Sequence, residues 1–217
     1  LLNQTICGLF TGIPNYIMVP VAAKMVKKWG ARATSIIAGL FGFFAYMTLF
    51  FVGFHPFGQT FKDHYIFNLI WVIFGLTICG LPNKILNVSG QIVTAEALDY
   101  MEWKHGLRNE ALVTTVQGYF GKLAISVTGW LSGMVLTWIN YVPLTDSLGN
   151  AVPQTDPTML NGIWAVFCIL PALARGLYGV SFIIYPIHGD LQQQMIVELA
   201  EKRAQRLAEQ EAKDHQA

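Results

Sequence analysis

The chain has 217 residues, of which 53% are hydrophobic and only 12% are charged. A soluble domain of this length carries about 25% charged residues, so the composition argues against a soluble protein and favours a membrane protein. The formal net charge of +1 also argues against a protein that binds nucleic acid.

Long apolar runs follow one another along the chain, and each is long enough to cross a bilayer, which takes about 20 residues of helix. Prolines inside these runs are tolerable in lipid, because neighbouring helices can satisfy the carbonyls that a proline leaves free. The sequence therefore predicts an all-α, polytopic membrane protein. Its five transmembrane helices are expected at residues 1–23, 34–54, 65–95, 110–142 and 159–187.

The connections between these helices alternate in charge. Ten of the 14 basic residues lie in the 24–32 loop, the 96–109 loop and the tail, whereas the other connections together hold one. The positive-inside rule places basic connections in the cytoplasm. We therefore predict a multi-pass protein of the cell membrane with a cytoplasmic C-terminus. Because its first helix would then begin outside without a start Met, we expect the C-terminal part of a longer protein.

The tail, residues 189–217, differs from the rest in being rich in charge. Leu191, Met195 and Leu199 are spaced four apart, which predicts a helix with one apolar face that starts on the membrane surface and ends in water. Charged runs of this kind are usually solvated, so our interpretation is a cytoplasmic tail without a partner.

Five polar residues lie inside predicted membrane helices where they are costly. A lysine there costs about 3 kcal/mol, so Lys122 should face a polar cavity, which Gln117 would border only loosely, unless Lys122 snorkels to the interface. A second group of polar residues forms a stripe on one helix face, because its members are spaced i, i+3 and i+7. This stripe would either line a cavity or form a hydrogen-bonded seam between helices. As a cavity lining, this stripe would suit a hydroxyl-rich solute. Its members are Lys84, Asn87 and Gln91.

One more basic residue, Arg175, is expected either to pair with a carboxylate or to line the same cavity.

The segment from residue 96 to residue 110 mixes four acidic residues with two basic ones. Ion pairs at the end of a helix can form in one conformation and break in another, and pairs worth about 0.2–1 kcal/mol suit such a latch. We predict that the segment forms a cytoplasmic gate. Its candidate residues are Asp99, Glu102, Lys104 and Arg108.

No constellation in the sequence indicates catalysis. Asp99, Glu102 and His105 lack a fixed nucleophile and a phosphate-binding glycine loop. The three cysteines lie apart in apolar runs, so we expect free thiols rather than disulfides or zinc ligands. The sequence therefore predicts no enzyme, no metal site and no cofactor.

The stretch DYMEWKHGLR resembles the loop between the tenth and eleventh helices of the glycoside–pentoside–hexuronide:cation symporters, relatives of melibiose permease in the major facilitator superfamily. The matching residues are Asp99, Tyr100, Glu102, Trp103, Lys104, Gly106 and Arg108. Gln117 and Lys122, five apart, resemble the pair on helix eleven. KMVKKWGAR is similar to the basic loop after helix eight, and Tyr185–Pro186 to the end of helix twelve, so nearly the whole chain is covered.

This resemblance implies helices eight to twelve of twelve, and cation-coupled uptake of a glycoside, pentoside or hexuronide by alternating access. Gln117 and Lys122 would line the sugar cavity, and Asp99, Glu102, Lys104 and Arg108 would form the inner gate. The coupling cation, Na⁺ or H⁺, would bind in the N-terminal half, outside this chain.

Two departures from the melibiose transporters argue against a melibiose-like specificity. Asn87 stands where those transporters carry a sugar-stacking tryptophan, and Gly118 where they carry a hydroxyl residue.

Two other functions stay open. A lysolipid-type symporter would use Lys122 for a charged head group, whereas a sugar would suit the amides of Asn87 and Gln91. A membrane sensor that transports nothing would not need Lys122 at all. The expected partners are the sugar, the cation, the lipid bilayer and the N-terminal half of the same transporter.

Overall fold

The computed structural model of the chain describes residues 2–53, 65–145, 151–152 and 156–214. Over these residues the fold is helical, as predicted. The helices are α1 (Leu2–Val52), α2 (Tyr65–His105), α3 (Glu110–Trp138), α4 (Pro157–Ser181) and α5 (Asp190–Asp214). Four segments are long and apolar enough to cross a membrane: Pro14–Val52, Ile66–His105, Glu110–Trp138 and Pro157–Ser181.

The helix α1 is interrupted at Gly30, which has φ +80° and ψ 163°. That backbone conformation is open to glycine and strained for residues with a Cβ. Ala22 and Ala38, on opposite sides of Gly30, share one buried cluster with Ile85 and Leu86 of α2. The two arms of α1, residues 2–29 and 31–52, therefore fold back on each other and correspond to the first two predicted helices. The predicted 24–32 loop is replaced by a break at a single residue.

The helix α2 is longer than the sequence suggested. The prediction ended it at residue 95, but it runs to His105, and it passes through the buried Pro82 without a break. Its 41 residues span about 60 Å, twice the apolar thickness of a bilayer. The predicted 96–109 loop is therefore wrong: residues 96–105 are helical, and the connection to α3 is residues 106–109. Charged residues are good helix formers, so loss of apolarity did not mean loss of helix.

The second arm of α1 packs closely against α4 through small residues. A Cβ added to Gly39 would lie 2.6 Å from the Cα of Gly179, so only glycine allows this approach. A buried hydrogen bond from the Ser35 hydroxyl to the Ser89 hydroxyl, 2.9 Å long, links the same arm to α2. Packing of small residues and polar links of this kind hold membrane helices together, because lipid offers no hydrophobic drive for association.

The helix α4 ends at Ser181, six residues before the predicted end. Arg32, beside the Gly30 turn, donates from Nε to the carbonyl of Phe182 at 3.1 Å and from Nη2 to that of Ile183 at 2.6 Å. A cation at a helix C-terminus satisfies exposed carbonyls and complements the helix dipole. The Gly30 turn and the end of α4 therefore lie at the same end of the bundle.

The connection between α3 and α4 also differs from the prediction. Helix α3 ends at Trp138 rather than 142, and Asn140 has φ +52°. Two short antiparallel strands follow, β1 (Leu144–Thr145) and β2 (Ala151–Val152). The shorter helix is consistent with Pro143, because the residue before a proline is disfavoured in helical conformation.

The interpretation of a solvated tail is wrong for residues 191–203, which pack in part against the bundle, whereas residues 204–211 are exposed. Helix α5 packs against the end of α2. Met195 and Leu199, which were predicted to share an apolar face, are 1% and 3% exposed. The apolar face predicted to rest on the membrane surface is therefore buried within the protein.

Helix α3 differs from the other helices in its surroundings. None of its residues is buried within the part of the chain that the structure describes. Its aromatic side chains are exposed, as illustrated by Tyr119 at 65% and Trp130 at 64%.

Candidate functional site

A carboxylate pair, Asp99 and Glu102, occupies one side of the last turns of α2, since residues three apart share a helix face. Arg108, from the connection to α3, places Nη1 3.0 Å from Asp99 Oδ1 and 3.7 Å from Glu102 Oε2. Arg203 of α5 donates from Nη2 to Asp99 Oδ1 at 2.8 Å and also to Glu102. Arg206 completes the group, 3.6 Å from Glu102. We call these five residues the charged corner.

The side chains of the charged corner differ in their exposure. The Glu102 side chain is 7% exposed, whereas those of Arg108 and Arg203 are 41% and 43% exposed. A buried carboxylate is tolerated when hydrogen bonds satisfy it, and here the guanidinium groups do so. Hydrogen bonds to Glu102 and Asp99 raise the pKa of Arg203 further above its usual range. Arg203 therefore stays charged whenever the corner is assembled.

The structure gathers three of the four predicted gate residues, and Lys104 is the exception. Its ammonium group lies 5.5 Å from the centre of the Tyr100 ring and 3.4 Å from the Tyr100 hydroxyl. It forms no ion pair with a carboxylate among the described residues. Lys104 therefore belongs to a neighbouring surface rather than to the charged corner.

The polar stripe on α2 is exposed in part. Asn87 and Gln91 are exposed, whereas Lys84 is half-buried with its ammonium group 4.5 Å from the centre of the Tyr16 ring. That distance is typical of a cation–π contact, so the aromatic ring of α1 stabilises the charge of Lys84.

The two predicted residues of α3 have different environments. Gln117 donates from Nε2 to Thr94 Oγ1 at 2.8 Å, and Thr94 lies three residues beyond Gln91 on α2. Gln117 thus adjoins the end of the polar stripe. Lys122 is exposed, and its ammonium group has no partner within the ranges that the structure covers. The structure therefore brings Gln117, but not Lys122, into contact with the stripe.

The remaining intramembrane cation, Arg175, does not pair with a carboxylate in the described structure. Its Nη1 donates to the side-chain oxygen of Asn83 on α2 at 2.9 Å. The expectation of a carboxylate partner is therefore corrected to an amide partner, which satisfies the guanidinium without a second buried charge.

A family described as MFS/sugar transport protein has a model that matches residues 2–189. The chain belongs to this family. The match confirms the predicted resemblance to the sugar symporters of the major facilitator superfamily.

Curated relatives of this MFS chain carry transporter names. The chain is 30% identical over 191 residues to an uncharacterized symporter, YjmB, of Bacillus subtilis strain 168. The aligned residues cover 87% of this chain and 37% of the relative. It is 28% identical over 120 residues to an isoprimeverose transporter of Lactiplantibacillus pentosus, covering 54% of this chain and 23% of the relative. The chain thus spans less than half the length of these relatives. No solved structure matches it significantly.

Two residues of this MFS chain that join distant segments, Arg203 and Glu96, are not among the predicted site residues. Arg203 follows Leu199 by four residues, so the spacing that marked the buried face of α5 also pointed to it. Glu96 accepts hydrogen bonds from the Tyr185 hydroxyl at 2.8 Å and from Gln192 Nε2 at 2.7 Å. No sequence signal links Glu96 to these partners, which lie about ninety residues away.

The site offers hydrogen-bond donors and acceptors rather than reactive groups. No cluster of three or more His, Cys, Asp or Glu residues that could hold a metal occurs in the described ranges. Amides on the stripe can bind hydroxyl groups, and the charged corner can hold two helices together through ion pairs.

Proposed function

We propose that the chain is part of a transporter that moves a sugar across the cell membrane together with a cation, by alternating access. The family match, the names of the relatives and the polar residues on the membrane-spanning helices support this proposal. The sugar class is a glycoside, pentoside or hexuronide. The coupling cation, Na⁺ or H⁺, binds in the N-terminal half of the complete protein.

The observation that carries the proposal is the hydrogen bond between Gln117 and Thr94, which joins α3 to the end of the polar stripe on α2. The stripe and Gln117 form one polar line between two membrane helices. Asn87 and Gln91 are exposed on this line and supply the donors and acceptors that sugar hydroxyls need. Lys122, five residues farther along α3, supplies an exposed cation on the same helix as Gln117.

The charged corner acts as the gate in this proposal. Three arginines from two separate segments share one carboxylate pair, so the corner holds the end of α2 to α5 and to the start of α3. The arginine side chains of these pairs are 41–53% exposed, so water screens the pairs in part and a conformational change can open them. With the C-terminus in the cytoplasm, the corner closes the inner end of the transport path.

The test is uptake of radiolabelled sugars by cells that make the complete protein. The panel consists of galactosides, xylosides including isoprimeverose, and glucuronides, each measured under imposed sodium and proton gradients. We expect one sugar to accumulate, and its accumulation to collapse when one of the two gradients is removed. Uptake that equilibrates without accumulation would contradict symport. No uptake of any sugar would contradict sugar transport and would favour a membrane sensor.

A second candidate substrate class is a lysolipid. The observation that favours it is the exposed Lys122, whose unpaired ammonium group suits an anionic head group. Lysophosphatidylglycerol added to the uptake assay separates the two classes. A lysolipid that is itself accumulated, and that displaces no sugar, would replace the sugar as substrate.

A further inference from the structure

A cleft of about 430 Å³ lies between the end of α2 and α5, beside the charged corner. Tyr100, Trp103 and Lys104 line it from α2. Leu191, Glu198 and Lys202 line it from the opposite side. We call it the lysine cleft, because a lysine from each helix borders it.

The two lysines of the cleft are available to a ligand, unlike the arginines nearby. Lys104 contacts only the Tyr100 ring and hydroxyl, and Lys202 donates to the backbone carbonyl of Trp103 at 3.4 Å. Neither is paired with a carboxylate among the residues described. Arg108, Arg203 and Arg206 all pair with the carboxylates of the corner.

The acidic residue of the cleft is already engaged. Glu198 accepts a hydrogen bond at 2.7 Å from Nε1 of Trp103, which fixes the indole as one wall. Two lysines against one carboxylate give the lining a net positive charge. The Tyr100 and Trp103 rings, 5.8 Å apart between centroids, and Leu191 add an apolar wall next to this charge.

A ligand that fits must be anionic at one point and apolar close by. The cleft also lies in the last turns of α2, after the apolar part of that helix, and tryptophan and tyrosine are the residues typical of the lipid head-group level. Lysines at that level attract anionic lipids of the cytoplasmic leaflet. A soluble anion would use the lysines but gain nothing from the aromatic wall and Leu191.

We infer that the lysine cleft binds the phosphodiester head group of an anionic phospholipid, with Lys104 and Lys202 on the phosphate and Trp103 beside the glycerol. A lipid held there contacts α2 and α5 at once and so stabilises their packing. The inference depends on the proposed function only for placing the cleft on the cytoplasmic side.

The test is native mass spectrometry of the complete protein, purified in detergent and titrated with phosphatidylglycerol or with phosphatidylcholine. The variants are Lys104→Gln/Lys202→Gln, the charge-preserving Lys104→Arg/Lys202→Arg, and the control Lys27→Gln/Lys28→Gln, which removes two exposed lysines near the Gly30 turn. Size-exclusion profiles and melting temperatures establish that each variant is folded.

We expect saturable binding of phosphatidylglycerol in preference to phosphatidylcholine. At roughly fivefold per lysine, the glutamine pair at the cleft should weaken this binding about 25-fold. The arginine pair and the control should each stay within about twofold of the unmodified protein. Because this experiment measures lipid binding and not transport, its outcome does not depend on the outcome of the sugar assay.

Three results would overturn the inference. Equal losses in the cleft and control variants would show unspecific attraction to a basic surface. Undiminished binding in the Lys104→Gln/Lys202→Gln variant would place the lipid elsewhere. Displacement of the lipid by millimolar inorganic phosphate would show a site for a small soluble anion instead.

Discussion

The charged corner and helix α3 both carry charge, but the described chain satisfies that charge very differently. In the corner, two carboxylates are shared by three arginines from the α2–α3 connection and α5. On α3, Gln117 has a partner and Lys122 has none among the residues described. The charges of the corner are therefore satisfied among the described residues, whereas the role of Lys122 depends on what surrounds α3 in the membrane.

The largest effect is expected from Lys122→Ala. If Lys122 contacts substrate, its loss should reduce coupled sugar uptake by roughly a hundredfold, because hydrogen bonds to charged groups contribute about 1.5–3 kcal/mol. Uptake in cells with matched membrane levels of the protein measures this. Lys27→Ala, an exposed lysine near the Gly30 turn, is the control and should change uptake less than about twofold. Normal uptake by Lys122→Ala would remove Lys122 from the site.

The next largest effect is expected from helix packing, which is close between α1 and α4 and open around α3 among the described residues. Gly39→Ala places a methyl group 2.6 Å from Gly179 Cα and should destabilise the protein by about 1–3 kcal/mol. Gly129→Ala on α3 meets nothing within 4 Å and should leave the melting temperature unchanged or raise it. Thermal unfolding in detergent compares the two. A larger loss at Gly129 would mean that α3, and not the α1–α4 contact, is the more tightly packed region.

A charge-reversal cycle tests the charged corner as a gate. Arg108→Asp should slow uptake about tenfold, because it turns an ion pair into a repulsion beside Glu102. Asp99→Arg restores opposite charges at the 3.0 Å contact but also faces Arg203, which lies 2.8 Å from Asp99, so the double variant should recover only part of the rate. Glu102→Arg should rescue less, because Glu102 lies 3.7 Å from Arg108. Failure of both rescues would refute the gate.

The smallest effect is expected at the junction of α5 with α2. Arg203→Gln should speed hydrogen exchange of the amides in residues 191–200 by roughly fivefold, since a partly exposed ion pair is worth about 1 kcal/mol. Arg206→Gln is the control, because Arg206 is 53% exposed and 3.6 Å from Glu102. Equal exchange in the two variants would show that the apolar face of α5, and not Arg203, holds it to α2.

Much of the fold follows from local sequence pattern, and the errors in the predicted helix ends have a common cause. Apolar runs of sufficient length coincide with the four described segments that are long and apolar enough to cross a membrane, because the bilayer sets that length. The ends were less certain: residues 96–105 remained helical although they are charged, and α4 stopped at Ser181. Polarity marks where a chain leaves lipid, but it does not mark where a helix ends, which depends on caps, prolines and neighbours.

By itself the sequence determined the groupings that a single helix makes. Asp99 with Glu102, the stripe from Lys84 to Gln91, and the face of Met195 and Leu199 follow from the helical period, and Arg108 is near enough in the chain to reach the corner. Only the tertiary structure decided that Arg203 reaches Asp99, that Tyr185 binds Glu96, and that Arg32 caps α4. Those contacts join residues 89 to 151 positions apart. They exist because the chain folds back on itself, and no local pattern of side chains specifies where two distant helices meet.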